Sequence, residues 1–162
     1  MSDLRVGLGI DAHAFADGIP LVLAGIQFAE DRGLAGHSDG DVVTHALIDA
    51  LLGAAGFGDI GSLFPAEDDS LRGVSSLLLL RNAYGKLTNA GFELVNADCV
   101  LIGEQPRIAD RRDDMRTRLA ETMGVEADRI AVRATTTDHL GFTGRREGLA
   151  AQAVALLRQS GG

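Results

Sequence analysis

Residues 36–65 constrain the fold more than any other part of this chain, because a polar loop, an apolar-periodic segment and a glycine-rich turn follow one another there. The apolar positions of the middle segment recur at the spacing of a helix with one buried face. These positions are Val42, Ala46, Leu47, Ala50, Leu51 and Ala54. Ser38 is the expected N-cap, and Asp41, three residues later, matches a shortened capping box. The pattern predicts a central helix that ends at the glycines after residue 55.

Three polar residues share one side of this predicted helix. Asp41, His45 and Asp49 follow one another at a spacing that aligns side chains along one stripe of a helix. An imidazole between two carboxylates is unusual on a solvated surface. Two interpretations remain open: the tolerated polar edge of a capped helix, or part of a functional site.

A second acidic and imidazole pair lies near the start of the chain. Residues 5–10 predict a buried strand, with glycines where another backbone or a ligand comes close. In an extended segment residues two apart point the same way, so Asp11 and His13 should project together. With His45 as a third ligand, they match an open zinc site with mixed nitrogen and oxygen donors. For Asp11 and His13 alone, a structural hydrogen-bonded pair is an equal alternative.

The composition limits the classes of protein and partner. The 162 residues are about the size of one domain, and we expect a single domain over residues 1–162. The net charge of −8 and the absence of Trp disfavour nucleic-acid binding, so an anionic ligand needs a metal or a few arginines. The single cysteine, Cys99, is expected as a small core residue in a reducing compartment. No apolar run suggests a membrane span or a secretory leader, and we expect a cytoplasmic protein without a membrane partner.

The remaining chain alternates predicted strands and helices. Strands are expected at 5–10, 92–102 and 129–134, helices at 70–90, 108–123 and 149–159, and a hairpin at 19–28 that turns at Ala24 and Gly25. This alternation is too frequent for an all-α or all-β protein and predicts an α/β or α+β fold. The short elements leave exposed edges, so we also expect contacts between subunits.

Two loop segments have the composition of a phosphate site. Arg107 precedes a predicted helix N-terminus, which is a place where anions bind. Residues 135–138, three threonines and an aspartate, come at the end of a predicted strand, where hydroxyl and N–H groups can contact phosphate. Each segment has a plain alternative: Arg107 can lie in an ordinary loop, and threonine is common in strands.

Four motifs occur in order along the chain: DAH at 11–13, GHSDGDVVTHALIDALLGAA at 36–55, GDIGSLFP at 58–65 and ATTTDHLGFTGR at 134–145. By these motifs the chain resembles the 2-C-methyl-D-erythritol 2,4-cyclodiphosphate synthase family essentially from end to end. The resemblance implies an α/β subunit with a mixed sheet and a layer of helices, in a homotrimer whose active sites lie between neighbouring subunits. It also implies conversion of 4-diphosphocytidyl-2-C-methyl-D-erythritol 2-phosphate into the cyclodiphosphate and CMP, a phosphorus–oxygen lyase step of the non-mevalonate isoprenoid pathway.

The resemblance also implies two metals and two catalytic residues. Zinc is expected on Asp11, His13 and His45. Magnesium or manganese is expected at Asp138. His37 and Thr136 match the residues that stabilise the transition state.

Substrate contacts are implied for a larger set of positions. They are Asp11, His13, His37, Ser38, Asp59, Ile60, Gly61, Asp68, Pro106, Arg107, Ile108, Ala109, Ala134, Thr135, Thr136, Thr137, Phe142 and Arg145. Within this set, residues 106–109 with Thr135 and Thr136 match a cytidine-nucleotide pocket on the neighbouring subunit. Phe142 and Arg145 match a central channel that can bind an isoprenoid phosphate.

Three positions depart from the family pattern. Asp138 stands where members usually carry a glutamate that binds the second metal, and its side chain is one methylene shorter. Arg107 replaces a lysine; the positive charge is kept, but a guanidinium differs from an ammonium in its hydrogen-bonding geometry. Ala66 replaces an aspartate that contacts substrate. The zinc set is unaffected by these departures.

In the implied reaction, the 2-phosphate of the substrate attacks the β-phosphorus of its own diphosphate and CMP leaves. No protein nucleophile is required, and metal clamping and positioning are the main contributions expected of the protein. One alternative is a metal-dependent phosphohydrolase, in which water attacks. Another is a non-catalytic isoprenoid-phosphate-binding trimer that uses Phe142 and Arg145.

Overall fold

The computed structural model describes residues 3–160. Its strands are β1 (Asp3–Asp17), β2 (Leu21–Leu23), β3 (Ile26–Phe28), β4 (Arg32–Leu34), β5 (Phe92–Ile102), β6 (Ile130–Thr135) and β7 (Gly148–Gln159). Its α-helices are α1 (Val42–Ala55), α2 (Ile60–Leu63), α3 (Ser76–Asn89), α4 (Arg112–Met123) and α5 (Gly141–Gly144). None of the helices within these residues has the length and apolar character that crossing a bilayer requires.

Five of the strands form one mixed sheet in the order β4-β1-β7-β5-β6. Strand β7 lies between β1 and β5 and is antiparallel to both, whereas β5 and β6 are parallel. Strands β2 and β3 form a separate hairpin that turns at Ala24 and Gly25, as predicted. The predicted α/β fold with a mixed sheet is confirmed.

Helix α1 lies against the sheet at unusually close range. A Cβ atom on Gly9 would lie 1.9 Å from the carbonyl oxygen of Ala46, and one on Gly7 would lie 2.0 Å from that of Ala50. Only glycine leaves room for backbone to touch backbone at these positions. The predicted role of the strand glycines is therefore confirmed, and the close packing brings the first turns of α1 beside the middle of β1.

The opposite face of β1 is apolar, and none of residues 3–160 covers it. Alternate residues of the strand, Leu4, Val6, Leu8 and Ile10, are exposed. Val6 is 70% exposed, and Val154 on the neighbouring β7 extends the same surface. An apolar strip of this kind is characteristic of a protein–protein contact. We name these five residues the β1/β7 strip.

The predicted C-terminal helix over 149–159 is wrong, because this segment is strand β7. From Leu149 to Leu157 the odd-numbered side chains are buried under α1, and the exposed Gln152 and Val154 face the other way. The alanine-rich composition favours a helix locally. Pairing with both β1 and β5 outweighs that propensity, since β7 occupies the centre of the sheet.

The starts of three predicted helices also differ in the structure. The N-cap of α1 is Asp41 rather than Ser38, because the carboxylate of Asp41 accepts the backbone N–H of Thr44 at 3.0 Å. The helix predicted over 70–90 begins only at Ser76, since Asp68 caps a short 3₁₀ turn ahead of it. The helix predicted over 108–123 likewise begins at Arg112, after another 3₁₀ turn.

A candidate metal centre and its neighbouring pockets

Asp11, His13 and His45 meet at one point between β1 and α1. Nε2 of His13 lies 2.7 Å from Oδ2 of Asp11, and Nδ1 of His45 lies 3.1 Å from the same oxygen. The two imidazole nitrogens are 3.3 Å apart. One ligand atom from each residue thus lies within 4.8 Å of the others. The prediction that His45 joins the pair on β1 is confirmed, and the three groups can hold a metal ion.

The electrostatics of the cluster favour an ionised carboxylate. Burial alone would raise the pKa of Asp11, but hydrogen bonds and charge interactions with His13 and His45 outweigh it and lower that pKa to about 2. The hydrogen bond with Asp11 raises the pKa of His13 above its ordinary value, although burial opposes the change. Protonation of His13 is therefore favoured beside the position that a cation would take.

The other two members of the predicted stripe have separate structural partners. The carboxylate of Asp41 is fully buried and accepts the backbone N–H groups of Ala24, Gly25 and Thr44 and the hydroxyl of Thr44. Asp49 accepts the backbone N–H of Ile60 at 2.7 Å, which ties α1 to the start of α2. Only His45 of the stripe belongs to the metal cluster.

A pocket of about 220 Å³ opens above the cluster. Four of the predicted substrate-contacting residues line it together with the cluster: His37, Ser38, Ile60 and Gly61. Apolar side chains that the sequence did not single out complete the wall, among them Phe64, Leu71 and Val74. The wall combines hydrogen-bonding groups near the cluster with an apolar surface farther away.

Two further predicted substrate contacts, Asp59 and Asp68, are not in the pocket lining but cap short helical turns next to it. Asp59 caps α2 by accepting the backbone N–H of Ser62 at 2.8 Å, and this hydrogen bond lowers the pKa of Asp59. The side chain of Asp68 accepts the hydroxyl and N–H of Ser70, which lower its pKa. The backbone oxygen of Asp68 accepts a hydrogen bond from Nε2 of His37 at 3.1 Å. Asp68 therefore contacts the His37 loop through its backbone.

A second pocket of about 410 Å³ lies between the β5–α4 loop and the end of β6. The predicted nucleotide residues in its lining are Pro106, Arg107, Thr135 and Thr136, and Ala134, predicted as a substrate contact, lies beside them. Of the other predicted nucleotide residues, Ile108 is 2% exposed and belongs to the core, and Ala109 begins a 3₁₀ turn. Glu104, His139 and Arg146 also line the pocket and were missed, because nothing in their local sequence distinguishes them from loop residues.

The loop after β6 has a strained backbone beside this second pocket. Asp138 and His139 have φ angles of +50° and +66°, in a region that residues other than glycine rarely adopt. The carboxylate of Glu104 accepts the N–H groups of Thr137 at 3.4 Å and His139 at 3.2 Å, which helps to hold the loop. Oδ1 of Asp138 accepts the hydroxyl of Thr136 at 3.1 Å. Asp138 is among the lining residues of neither pocket.

The predicted channel residues lie on and just after α5. The side chain of Phe142 is 43% exposed. Nε of Arg145 donates to Oε1 of Glu147 at 3.0 Å, and this pair raises the pKa of Arg145 and lowers that of Glu147. An aromatic ring and a guanidinium are thus both presented outside the two pockets.

The two pockets have no lining residue in common. The metal cluster belongs to the β1–α1 side, and the threonines and Arg107 belong to the end of β5 and β6. A ligand that contacted both the metal cluster and the threonines would therefore have to reach two pockets that are separate within a single chain.

The sequence and the structure match proteins of one kind. The model of the YgbB family matches residues 4–158. A relative from Rubrobacter xylanophilus, named 2-C-methyl-D-erythritol 2,4-cyclodiphosphate synthase, is 54% identical over 165 aligned residues that cover 100% of this chain and 99% of the relative.

Two solved structures have the same fold. The bifunctional IspDF from Campylobacter jejuni superposes with a TM-score of 0.95 at 42% identity, and the match covers 99% of this chain and 43% of that one. This chain therefore spans less than half of the bifunctional protein. The Plasmodium falciparum IspF in its CDP complex superposes with a TM-score of 0.85 at 27% identity, covering 98% of this chain and 97% of the other.

Proposed function

The chain belongs to the YgbB family, and from this membership and the geometry of the two pockets we propose that it converts 4-diphosphocytidyl-2-C-methyl-D-erythritol 2-phosphate into 2-C-methyl-D-erythritol 2,4-cyclodiphosphate and CMP. This is a phosphorus–oxygen lyase reaction of the non-mevalonate isoprenoid pathway. The observation that carries the proposal is the convergence of Asp11, His13 and His45 beside a pocket large enough for a small phosphorylated ligand.

The donor set fits zinc as the first metal. One carboxylate and two imidazoles are typical ligands of a catalytic zinc site, which keeps a fourth position open. Magnesium or manganese suits an oxygen donor such as Asp138, which is exposed at the end of β6. When bound, the two metals would neutralise phosphate charge and align the reacting groups.

The reaction requires no nucleophile from the protein. An oxygen of the substrate's 2-phosphate forms a bond to the β-phosphorus, while the bond from that phosphorus to the oxygen of CMP breaks. The chain's one cysteine is unsuited to attack, because burial raises the pKa of the Cys99 thiol to about 12. The protein is instead proposed to hold the two phosphates in line.

Two side chains are proposed to stabilise the transferring phosphoryl group. His37 lines the cluster pocket, and its ring can donate to a phosphate oxygen if it leaves the backbone of Asp68. Thr136 lines the second pocket, and its hydroxyl can turn from Asp138 toward a phosphate. Both groups are hydrogen-bond donors placed where negative charge would gather.

The cytidine nucleotide is proposed to occupy the second pocket. The pocket is lined by Pro106, Arg107, Thr135 and Thr136, which offer backbone groups, a guanidinium and two hydroxyls. Such a mixture of backbone groups, hydroxyls and one cation suits a nucleotide base and its phosphates. The CDP complex of the P. falciparum relative supports a cytidine diphosphate group as the ligand.

The assembly is proposed to be a homotrimer in the cytoplasm, with each active site made by two neighbours. Two observations support shared sites. The β1/β7 strip is an exposed apolar surface that needs a partner, and the two pockets have no lining residue in common. Phe142 and Arg145 are then proposed to line a channel between subunits, in which an isoprenoid phosphate could bind.

Product identification tests the proposed reaction. The full chain is incubated with the cytidyl substrate, zinc and magnesium, and the products are separated and weighed by mass spectrometry. A cyclic diphosphate together with CMP supports the proposal. An open-chain 2,4-bisphosphate together with CMP would identify a phosphohydrolase instead, and no turnover by a zinc-loaded trimer would favour a protein that only binds isoprenoid phosphates.

A further inference from the structure

Asp49 is the residue of the polar stripe on α1 that neither joins the metal cluster nor caps the helix. It lies one turn after His45, and its side chain is half-buried in a helix where every other residue except Gly53 is buried. Burial raises the pKa of the Asp49 carboxyl. A polar group in such a position is costly unless a hydrogen bond replaces the water it has lost. Asp49 therefore needs a partner within the fold.

That partner is the backbone of Ile60. Its N–H donates to Oδ1 of Asp49 at 2.7 Å. Ile60 is the first residue of α2, so no carbonyl of that helix can accept this N–H. Within residues 3–160 this is the hydrogen bond found for the Asp49 side chain, and it uses only one of the two carboxylate oxygens. It joins the second turn of α1 to the start of α2.

The rest of α2 is less firmly held. The carboxylate of Asp59 accepts the N–H and the hydroxyl of Ser62, but these hydrogen bonds lie within the same short segment. None of the four residues of α2 is fully buried, so packing constrains this helix less than it constrains α1. The hydrogen bond from Ile60 to Asp49 is therefore an important constraint on where α2 begins.

The start of α2 forms part of the cluster pocket. Ile60 and Gly61 line this pocket, whereas Asp49 is not among its lining residues. The same helix, α1, thus carries His45 of the cluster and, one turn later, the carboxylate that holds the Ile60–Gly61 wall. A site whose parts are fixed to one rigid element keeps its geometry more precisely than a site on free loops.

We propose that Asp49 is a positioning residue that fixes the Ile60–Gly61 wall relative to the metal cluster, and so sets the affinity for the part of the substrate that lies beside the cluster. The inference rests on the proposed function for the identity of that substrate. The wall would contact the ligand both before and during the reaction. An interaction of this kind contributes to KM rather than to kcat.

Three substitutions separate the hydrogen bond from the charge of Asp49. Asp49→Asn keeps an oxygen that can accept the N–H of Ile60 but loses the charge. Asp49→Glu keeps the charge but moves the acceptor by one methylene. Asp49→Ala removes both. If the hydrogen bond is what matters, the asparagine variant should resemble the wild type, and the other two variants should not.

Hydrogen exchange of the Ile60 amide in the full chain tests the contact itself. The wild type and Asp49→Asn are expected to protect this amide, and Asp49→Ala is expected to exchange it about 10-fold faster. The amide of Leu51, in the buried middle of α1, is the internal reference and should keep its protection in every variant. Unchanged protection of Ile60 in Asp49→Ala would overturn the inference.

Steady-state kinetics with the cytidyl substrate, zinc and magnesium test the role in recognition. Asp49→Ala and Asp49→Glu are expected to raise KM by about 3-fold to 10-fold, the ratio that one hydrogen bond supplies, with kcat nearly unchanged. Asp49→Asn should keep the KM of the wild type. Two results would overturn the inference: Asp49→Glu behaving like the wild type while Asp49→Asn behaves like Asp49→Ala, or a fall in kcat at constant KM.

Binding of the cyclodiphosphate separates this inference from the proposed reaction, because calorimetric titration with the product needs no turnover. Its affinity should rank the variants in the same order as KM. Release of an open-chain 2,4-bisphosphate by the wild type would contradict the proposed reaction, while the same ranking of the variants would still support the role of Asp49. A wild type that neither turned over the substrate nor bound the product would contradict both.

Discussion

Nδ1 of His45 lies 3.1 Å from Oδ2 of Asp11, although the two residues are 34 positions apart in the sequence. Asp11 belongs to β1 and His45 to the first turn of α1, and the glycines of β1 let the helix approach closely enough for the two side chains to meet. The proposed metal chemistry depends on this contact, and four predictions test its surroundings.

Replacing His45 by alanine should remove zinc while the chain stays folded. One ligand of three is lost, so bound zinc is expected to fall from about one per chain to near zero, together with activity. Elemental analysis of the purified variant measures this directly. His37→Ala is the matched control, because it removes an imidazole from the same pocket but not from the cluster. Full zinc occupancy in His45→Ala would contradict the assignment.

Lengthening Asp138 to glutamate should preserve or strengthen the magnesium dependence of turnover. The extra methylene extends the carboxylate beyond its present contact with Thr136 and gives the side chain that the family resemblance implies at this position. Titration of activity with magnesium, for the wild type and Asp138→Glu, measures the effect. An inactive but folded Asp138→Glu protein would mean that the loop has adapted to the shorter side chain.

Zinc affinity should fall as the pH is lowered. The pKa of His13 is raised above its ordinary value of 6.5 by its hydrogen bond with Asp11, so a proton holds the metal position at higher pH than on a free histidine. Zinc must displace that proton, and its affinity should drop about tenfold per pH unit below the raised pKa. Asp11, with a pKa of about 2, does not compete in this range. Competition titrations with a chelator at several pH values measure the slope, and a flat profile would be inconsistent with protonation of His13.

Asp41→Ala should destabilise the fold without touching the cluster. The buried carboxylate accepts four hydrogen bonds from the β2–β3 turn and the first turn of α1, and alanine leaves those donors unpaired. We expect a loss of about 3 kcal/mol or more in the free energy of unfolding, measured with denaturant. Asp113→Ala is the control, because that side chain is 87% exposed and should change stability by about 0.5 kcal/mol or less. Equal effects of the two substitutions would refute the capping role.

Local sequence rules predicted the parts of the fold that short-range physics determines. The two-residue alternation of β1 places Asp11 and His13 on one side. The apolar spacing predicted α1 correctly as a helix, but its prediction of one buried face is wrong, because every residue of α1 except Asp49 and Gly53 is buried. The local rules failed where contacts between distant parts of the chain determine the structure. Strand β7 has a helix-favouring composition, but it pairs with a strand on each edge. Asp41 rather than the expected Ser38 caps α1, and its carboxylate also accepts backbone N–H groups from the distant β2–β3 hairpin.

The same limit applies to the site. The residue pattern and the family motifs both named His45 as the third member of the cluster, and its approach to β1 follows the glycine pattern. Ser76 could not be found in this way, since it contacts His45 across 31 residues and starts a different helix. The carboxylate of Glu104 accepts backbone N–H groups of the loop after β6, and no motif in the sequence around Glu104 predicts this role.

The most direct test of the central claim is the fate of solvent oxygen during turnover. Phosphorus NMR of the reaction in ¹⁸O-labelled water, with zinc and magnesium present, shows whether a water oxygen becomes bonded to phosphorus. Attack by the substrate's own 2-phosphate predicts a cyclic diphosphate and CMP that both lack the label. Label in either product, formed at the rate of turnover, would mean that water is the nucleophile and would contradict the proposed cyclisation.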